Sequence, residues 1–216
     1  GNGNYGIEII EKSAMTSIFA NYIGTDIDGK TAIPNDKSGI YCERNGGFQS
    51  IQHIYPNKDL NTKEVRELDL DGYTLIGYLD EEKGNLISGN KEDGIRIFKC
   101  TDVLMHWNKI GTDAKGASAI PNYNGINIKG SNEIYVGSSN IAGDPEQYPA
   151  VPNLISGNTN YGIRIAPKFD DSDDKEVASH APFNNIYGNL IGTDITGTKA
   201  VPNKSGILIA TNLNFV

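Results

Sequence analysis

One phrase recurs along this chain almost unchanged, and it restricts the fold more than any other feature. Asn85-Leu-Ile-Ser-Gly-Asn90 returns intact at Asn153 to Asn158. Gly-Ile-Arg-Ile follows each copy, at Gly94 to Ile97 and at Gly162 to Ile165. A longer phrase, Asn-x-Ile-Gly-Thr-Asp-x-x-Gly-x-x-Ala-(Ile/Val)-Pro-Asn, runs from Asn21 to Asn35, Asn108 to Asn122 and Asn189 to Asn203. Each of its copies also leads into Gly-Ile-x-Ile or a close variant, at Gly39, Gly125 and Gly206. Self-similarity at short period marks a solenoid, in which one unit buries its apolar face only against its copies.

The apolar residues inside these phrases alternate with period two, the pattern of a half-buried strand. The expected inward pairs are Ile7/Ile9, Ile40/Cys42, Ile95/Ile97, Ile126/Ile128, Ile163/Ile165 and Ile207/Ile209. A second inward column is Ile23, Ile87, Ile110, Ile155 and Ile191, and a third contains Ile18, Met105 and Ile186. Strands this short are unstable alone, but stacked in parallel about 4.8 Å apart they pair their backbones and form a continuous aliphatic core. The predicted fold is all-β, a right-handed parallel β-helix of about six coils with three short strands per coil. Residues 1–216 are read as a single solenoid domain, a segment of a longer repeat protein or polymer.

Two kinds of coil alternate, so the repeating unit is a pair. In one, Ser-Gly-Asn turns into the next strand through three residues; in the other, Gly-Thr-Asp opens a longer loop. Glycine and asparagine suit the corners because both tolerate positive φ and asparagine can bond corner backbone groups. Asn90, Asp113, Asn158 and Asp194, with Asp26 in the same row, are expected to stack as a polar ladder. The repeated Asp26, Asp113 and Asp194 are expected to cap their own loops rather than bind metal.

The phrases NLISGN, GIRI and NLIGTDITGTKAVPN resemble the right-handed parallel β-helix repeats of large secreted bacterial surface proteins. The same superfold houses pectate lyases, polygalacturonases and carbohydrate epimerases. The resemblance implies secretion and an extracellular, cell-surface location. A net charge of −8 argues against a nucleic-acid-binding face. No apolar run reaches the roughly 18 residues that span a bilayer, so membrane insertion is not expected.

Hydrolases on such a scaffold need two carboxyls roughly 5–9.5 Å apart, and lyases resembling this fold use a carboxylate-bound Ca²⁺ beside an Arg or Lys base. The outward row between the inward isoleucines reads Glu8, Tyr41, Arg96, Asn127, Arg164 and Leu208, with a single carboxylate. No catalytic residue, metal site or cofactor is therefore expected. The candidate ligand-binding strip is Arg96, Asn127 and Arg164, whose planar donors suit an anion or a sugar. The expected function is a non-enzymatic structural or adhesive module of a surface protein or fibre. The alternative is a polysaccharide-active β-helix enzyme (lyase, hydrolase or epimerase) or a glycan-binding module that does not cut.

The remaining features suggest less chemistry. Cys42 and Cys100 do not form a disulfide framework, and Cys42 is read as a small buried hydrophobe. His53, His106 and His180 share no spacing and are read as surface or boundary residues. Insertions at about Glu43 to Gly72, Ser138 to Pro152 and Ala166 to Pro182 carry or adjoin Tyr55, Tyr73, Tyr78 and Tyr148. The last of them also holds Asp170, Asp171, Asp173 and Asp174, read as a solvated loop. Gly1 to Gly6 aligns with Gly157 to Gly162, and no terminal cap is recognisable. Exposed end coils recruit further strands, so the expected partners are further coils of a longer chain or other copies stacked end to end, with a glycan as the possible ligand.

Overall fold

The computed structural model describes residues 1–11, 13, 16–44, 73–78, 80–137, 151–167, 183–212 and 214–216. The predicted architecture is present: a right-handed parallel β-helix with a six-stranded sheet and two five-stranded sheets, all parallel. The first sheet stacks Ile7–Ile10, Ile40–Glu43, Ile95–Phe98, Ile126–Lys129, Tyr161–Ala166 and Ser205–Ile209, and these strands define coils one to six. The second stacks Ser17–Ile18, Thr74–Gly77, Val103–His106, Ile134–Val136 and Asn185–Ile186. The third stacks Tyr22–Ile23, Leu86–Ile87, Lys109–Ile110, Leu154–Ile155 and Leu190–Ile191. Among the described residues the only helical element is a 3₁₀ turn, Glu81–Lys83, and no helix is long and apolar enough to cross a membrane.

The register is the one the alternation dictates. Ile40, Ile95, Ile126 and Ile163 align across coils, as do Cys42, Ile97, Ile128 and Ile165, and all eight are fully buried. In the outermost coils the same columns are more open: Ile7 and Ile207 are half-buried and Ile209 is exposed. The glycine leading into the Gly-Ile-x-Ile segment is a packing requirement in coils one to five. A Cβ on Gly125 would meet the Gly162 carbonyl at 2.5 Å and Ile155 Cγ2 at 2.8 Å.

The polar rows differ from the expected single ladder, because Asn90 does not stack on Asp113. Two separate asparagine ladders run along two corners. In one, the side-chain amides of Asn2, Asn35, Asn90, Asn122 and Asn158 each donate to the next member, ending at Asn203. In the other, Asn21, Asn85, Asn108 and Asn153 do the same, ending at Asn189. The long loop of Asp113 is inserted ahead of the ladder position, so Pro-Asn122, not Thr-Asp113, comes into line with Asn90.

Asp26, Asp113 and Asp194 serve their own loops, as expected. Asp113 Oδ1 accepts from the backbone N–H groups of Ala117 and Ser118, at 2.8 and 3.3 Å. The equivalent bonds occur at Asp26 and Asp194. The loops also touch each other across the intervening coil, with Ala114 N–H donating to the Gly29 carbonyl and Ile195 N–H to that of Gly116. They roof over Leu86 and Leu154, which face outward on short coils yet are buried. The paired-coil unit thus has a packing basis.

Candidate functional site

Coils three to five of the first sheet carry a connected polar network on their outward face. Register places Tyr41, Arg96, Asn127 and Arg164 side by side on successive coils. A second column, one residue ahead of each strand's glycine, adds Asp93, Asn124 and Tyr161. The network centres on Asp93, which is 2% exposed. Asn124 Nδ2 donates to Asp93 Oδ1 at 2.6 Å, and Asn127 Nδ2 donates to Oδ2 at 2.9 Å. Burial raises the Asp93 carboxyl above the usual carboxylate range, against the two amide bonds and the charge of Arg96, which lower it.

These bonds fix the two guanidiniums. With its amide nitrogen turned to Asp93, Asn127 presents Oδ1 to Arg164 Nη1 at 3.1 Å. Arg96 Nη1 is held by Glu92 Oε2 at 3.4 Å. Arg96 and Arg164 flank Asn127 in the ladder, two coils apart, or roughly 9–10 Å. The three strip residues are therefore brought together, but not in equal roles. Asn127 is 8% exposed and spends its amide inside the protein, whereas both arginines reach solvent.

On the neighbouring coil, Tyr41 donates its phenolic proton to Glu43 Oε2 at 2.7 Å and stacks on Tyr5, with centroids 4.4 Å apart. Burial pushes the Tyr41 hydroxyl above the usual tyrosine range, with a further push from the bond to Glu43 and its charge. Tyr41 therefore keeps its proton at neutral pH. Asp93, Glu92 and Glu43 escaped the reading of the outward row because two precede the strand and the third lies two residues beyond Tyr41. The signal available in the sequence was the position before each glycine, which carries Tyr5, Ser38, Asp93, Asn124, Tyr161 and Ser205.

Other candidates lie elsewhere. His106, read as a surface or boundary residue, is buried at the end of its strand, and burial pushes its pKa down to about 4. Tyr78 packs on Phe19, away from this face. A groove of about 440 Å³ on the outer side of the third sheet is lined by Tyr22, Glu81, Glu82, Trp107 and Lys109. His53, His180, Tyr55, Tyr148 and the acidic run Asp170 to Asp174 lie outside the described residues, as does most of each insertion. Among the described residues no three His, Cys, Asp or Glu side chains converge as a metal site would require.

The chain is by architecture a right-handed parallel β-helix. Solved structures similar to it are those of the periplasmic alginate epimerase AlgG, at 16% identity and a TM-score of 0.46, and of its T265N mutant, at 15% and 0.41. They match 99% and 98% of this chain, which spans 36% of the length of either. No family model matches the chain, and no curated protein matches it. The expectation that the protein is not an enzyme is corrected. The solved structures found are those of an enzyme. The lack of acids on which that expectation rested does not hold either, since Glu43, Glu92 and Asp93 border the outward row.

Proposed function

We propose that the protein acts on an acidic polysaccharide laid along the outward face of the six-stranded sheet. The observation that carries this reading is the pair of guanidiniums, two coils apart, Arg164 held through Asn127 from the buried Asp93 and Arg96 paired at the surface with Glu92. Arginines fixed in this way can meet successive carboxylates of a polymer with little further loss of side-chain freedom. A guanidinium on a sugar carboxylate also withdraws charge from the adjacent carbon, which eases removal of its proton. Tyr41, next to Arg96 in the ladder and protonated at neutral pH, is the candidate proton donor. Its partner Glu43 is the candidate acceptor. Asp93 has no open face and acts by positioning Asn127 and, through it, Arg164. The compartment that suits such a substrate lies outside the cytoplasm.

The test is incubation with alginate, polygalacturonate and other acidic polymers, with and without Ca²⁺. Proton NMR reads inverted sugar centres, absorbance reads unsaturated uronate, and a reducing-end assay reads hydrolysis. At least one polymer should change, and Arg96→Ala or Arg164→Ala should slow that change roughly tenfold or more, as expected for losing one charge-assisted hydrogen bond. A folded wild-type protein that leaves every polymer unaltered, or arginine variants as active as wild type, would end this reading.

A further inference from the structure

Cys42 and Cys100 are the chain's two cysteines, 58 residues apart in sequence, yet their sulfur atoms lie 3.2 Å from each other in the core. Cys42 takes the position that isoleucine holds in the aligned column of Ile9, Ile97, Ile128 and Ile165. A column selected for aliphatic bulk gains nothing from one smaller, oxidisable side chain unless that side chain has another use. The gap faces Cys100. The chain turns at Lys99, which adopts φ 55°, and the N–H of Cys100 is held by Ser131 Oγ of the next coil at 3.0 Å. Both cysteines are buried, at 0% and 2% exposure. Their separation is about 1 Å beyond a disulfide bond of about 2.05 Å.

We infer that Cys42 and Cys100 are a disulfide site that clamps coil two to coil three from inside the solenoid. The bond would enclose residues 43–99, which include the insertion read at about Glu43 to Gly72, and would restrict that stretch in the unfolded chain. The oxidant is a disulfide compound of the thiol–disulfide exchange class. One cysteine thiolate attacks it, forming a mixed disulfide and releasing one small thiol. The second cysteine thiolate then displaces the other, so two S–H bonds are lost and the oxidant takes up two electrons and two protons. Because both sulfurs are buried once the coils close, the exchange belongs to the folding chain.

The experiment refolds the full chain from denaturant with oxidised glutathione, and in parallel with excess reductant. Thiols are counted under denaturing conditions alongside the intact mass. After oxidative refolding no thiol should react, and the mass should fall by two hydrogen atoms without added glutathione. The urea midpoint should lie above that of the reduced protein, and Cys42→Ala should abolish this difference. Thiols that remain reactive in natively folded protein, or a glutathione adduct in place of the internal bond, would overturn the inference. So would equal urea midpoints for the two wild-type forms. If Cys42→Ala does not fold, the mass and thiol count of the wild type still decide the matter.

Discussion

Two kinds of repeated polar residue run along this solenoid and are used in opposite ways. The asparagine ladders bond from coil to coil. Asn108 Oδ1 accepts from both the backbone and side-chain N–H groups of Asn85, while its amide donates to the Ile76 carbonyl and to Asn153. The aspartates bond within a single loop, and at Asp113 one oxygen accepts from the N–H groups of both Ala117 and Ser118. A ladder member must therefore donate and accept at once, which an amide can do and an ionised carboxylate cannot. A loop cap needs only to accept, which suits a carboxylate. The ladder position recurs in every coil and the cap in every second coil. Period thus separates a residue that ties neighbours together from one that closes its own turn.

The largest effect should come from breaking a ladder. Asn108→Ala removes four side-chain hydrogen bonds from a fully buried corner and leaves the N–H groups of Asn85 without their acceptor. At about 1–3 kcal/mol for each orphaned buried group, the expected loss is roughly 3–5 kcal/mol. Urea unfolding measures it. Asn108→Asp sharpens the comparison. It keeps the shape but cannot donate when ionised, so it should be no better than alanine.

His106 tests whether a buried polar group outside both rows behaves differently. Its Nδ1 is buried and has no hydrogen-bond partner, and the residue is 7% exposed. Burial holds its pKa at about 4, below the ordinary 6.5, so the folded state binds its proton less readily than the unfolded state does. Stability is complete above pH 6.5 and falls as the pH drops toward 4, by roughly 3 kcal/mol in all. Asp93 works in the opposite direction. Its raised carboxyl favours the folded state at low pH, and that contribution is lost as the pH rises through its folded value. Urea midpoints measured from pH 7 to 4 should decline, and His106→Leu should flatten the slope. An unchanged slope would show that the imidazole is not the source.

How far the sequence discloses all this depends on how the repeat uses each residue. Inward isoleucines were legible because period two and the coil repeat select the same positions, and Arg96 and Arg164 because they share one outward row. The ladder was misread because an offset counted from Asn108 lands on Asp113, and an inserted loop moves the true equivalent to Asn122. Asp93 was missed for a different reason. Its coil neighbours are Ser38 and Asn124, so no repeated residue type marks the position, and its importance appears only when Asn124 and Asn127 are seen to converge on it. The meeting of Cys42 with Cys100 depends on a corner turn that no periodicity encodes.

The smallest effect should come from the aspartate row, where it tests the other half of the comparison. Asp113→Ala leaves the N–H groups of Ala117 and Ser118 without their acceptor, but that loop is exposed and water can replace it. The expected cost is about 1 kcal/mol, the usual size for losing a capping side chain. Asp113→Asn should cost only a few tenths, because the amide oxygen can take both bonds that Oδ1 now accepts. Asparagine is thus tolerated in the aspartate row, whereas aspartate is not tolerated in the asparagine row. Asp26 and Asp194 add a pH signature to this asymmetry. Their carboxyls lie below the ordinary value, chiefly through the Lys30 N–H at Asp26 and the Thr196 hydroxyl at Asp194. Their contribution is present above the unfolded carboxylate pKa and is lost as the pH falls through the folded one, below the window in which His106 acts. Hydrogen exchange should show the change at Asp113 confined to residues 112–120, while a ladder variant loosens both adjacent coils. A cap variant that frees amides on coils away from its own loop would show that the two rows are coupled after all.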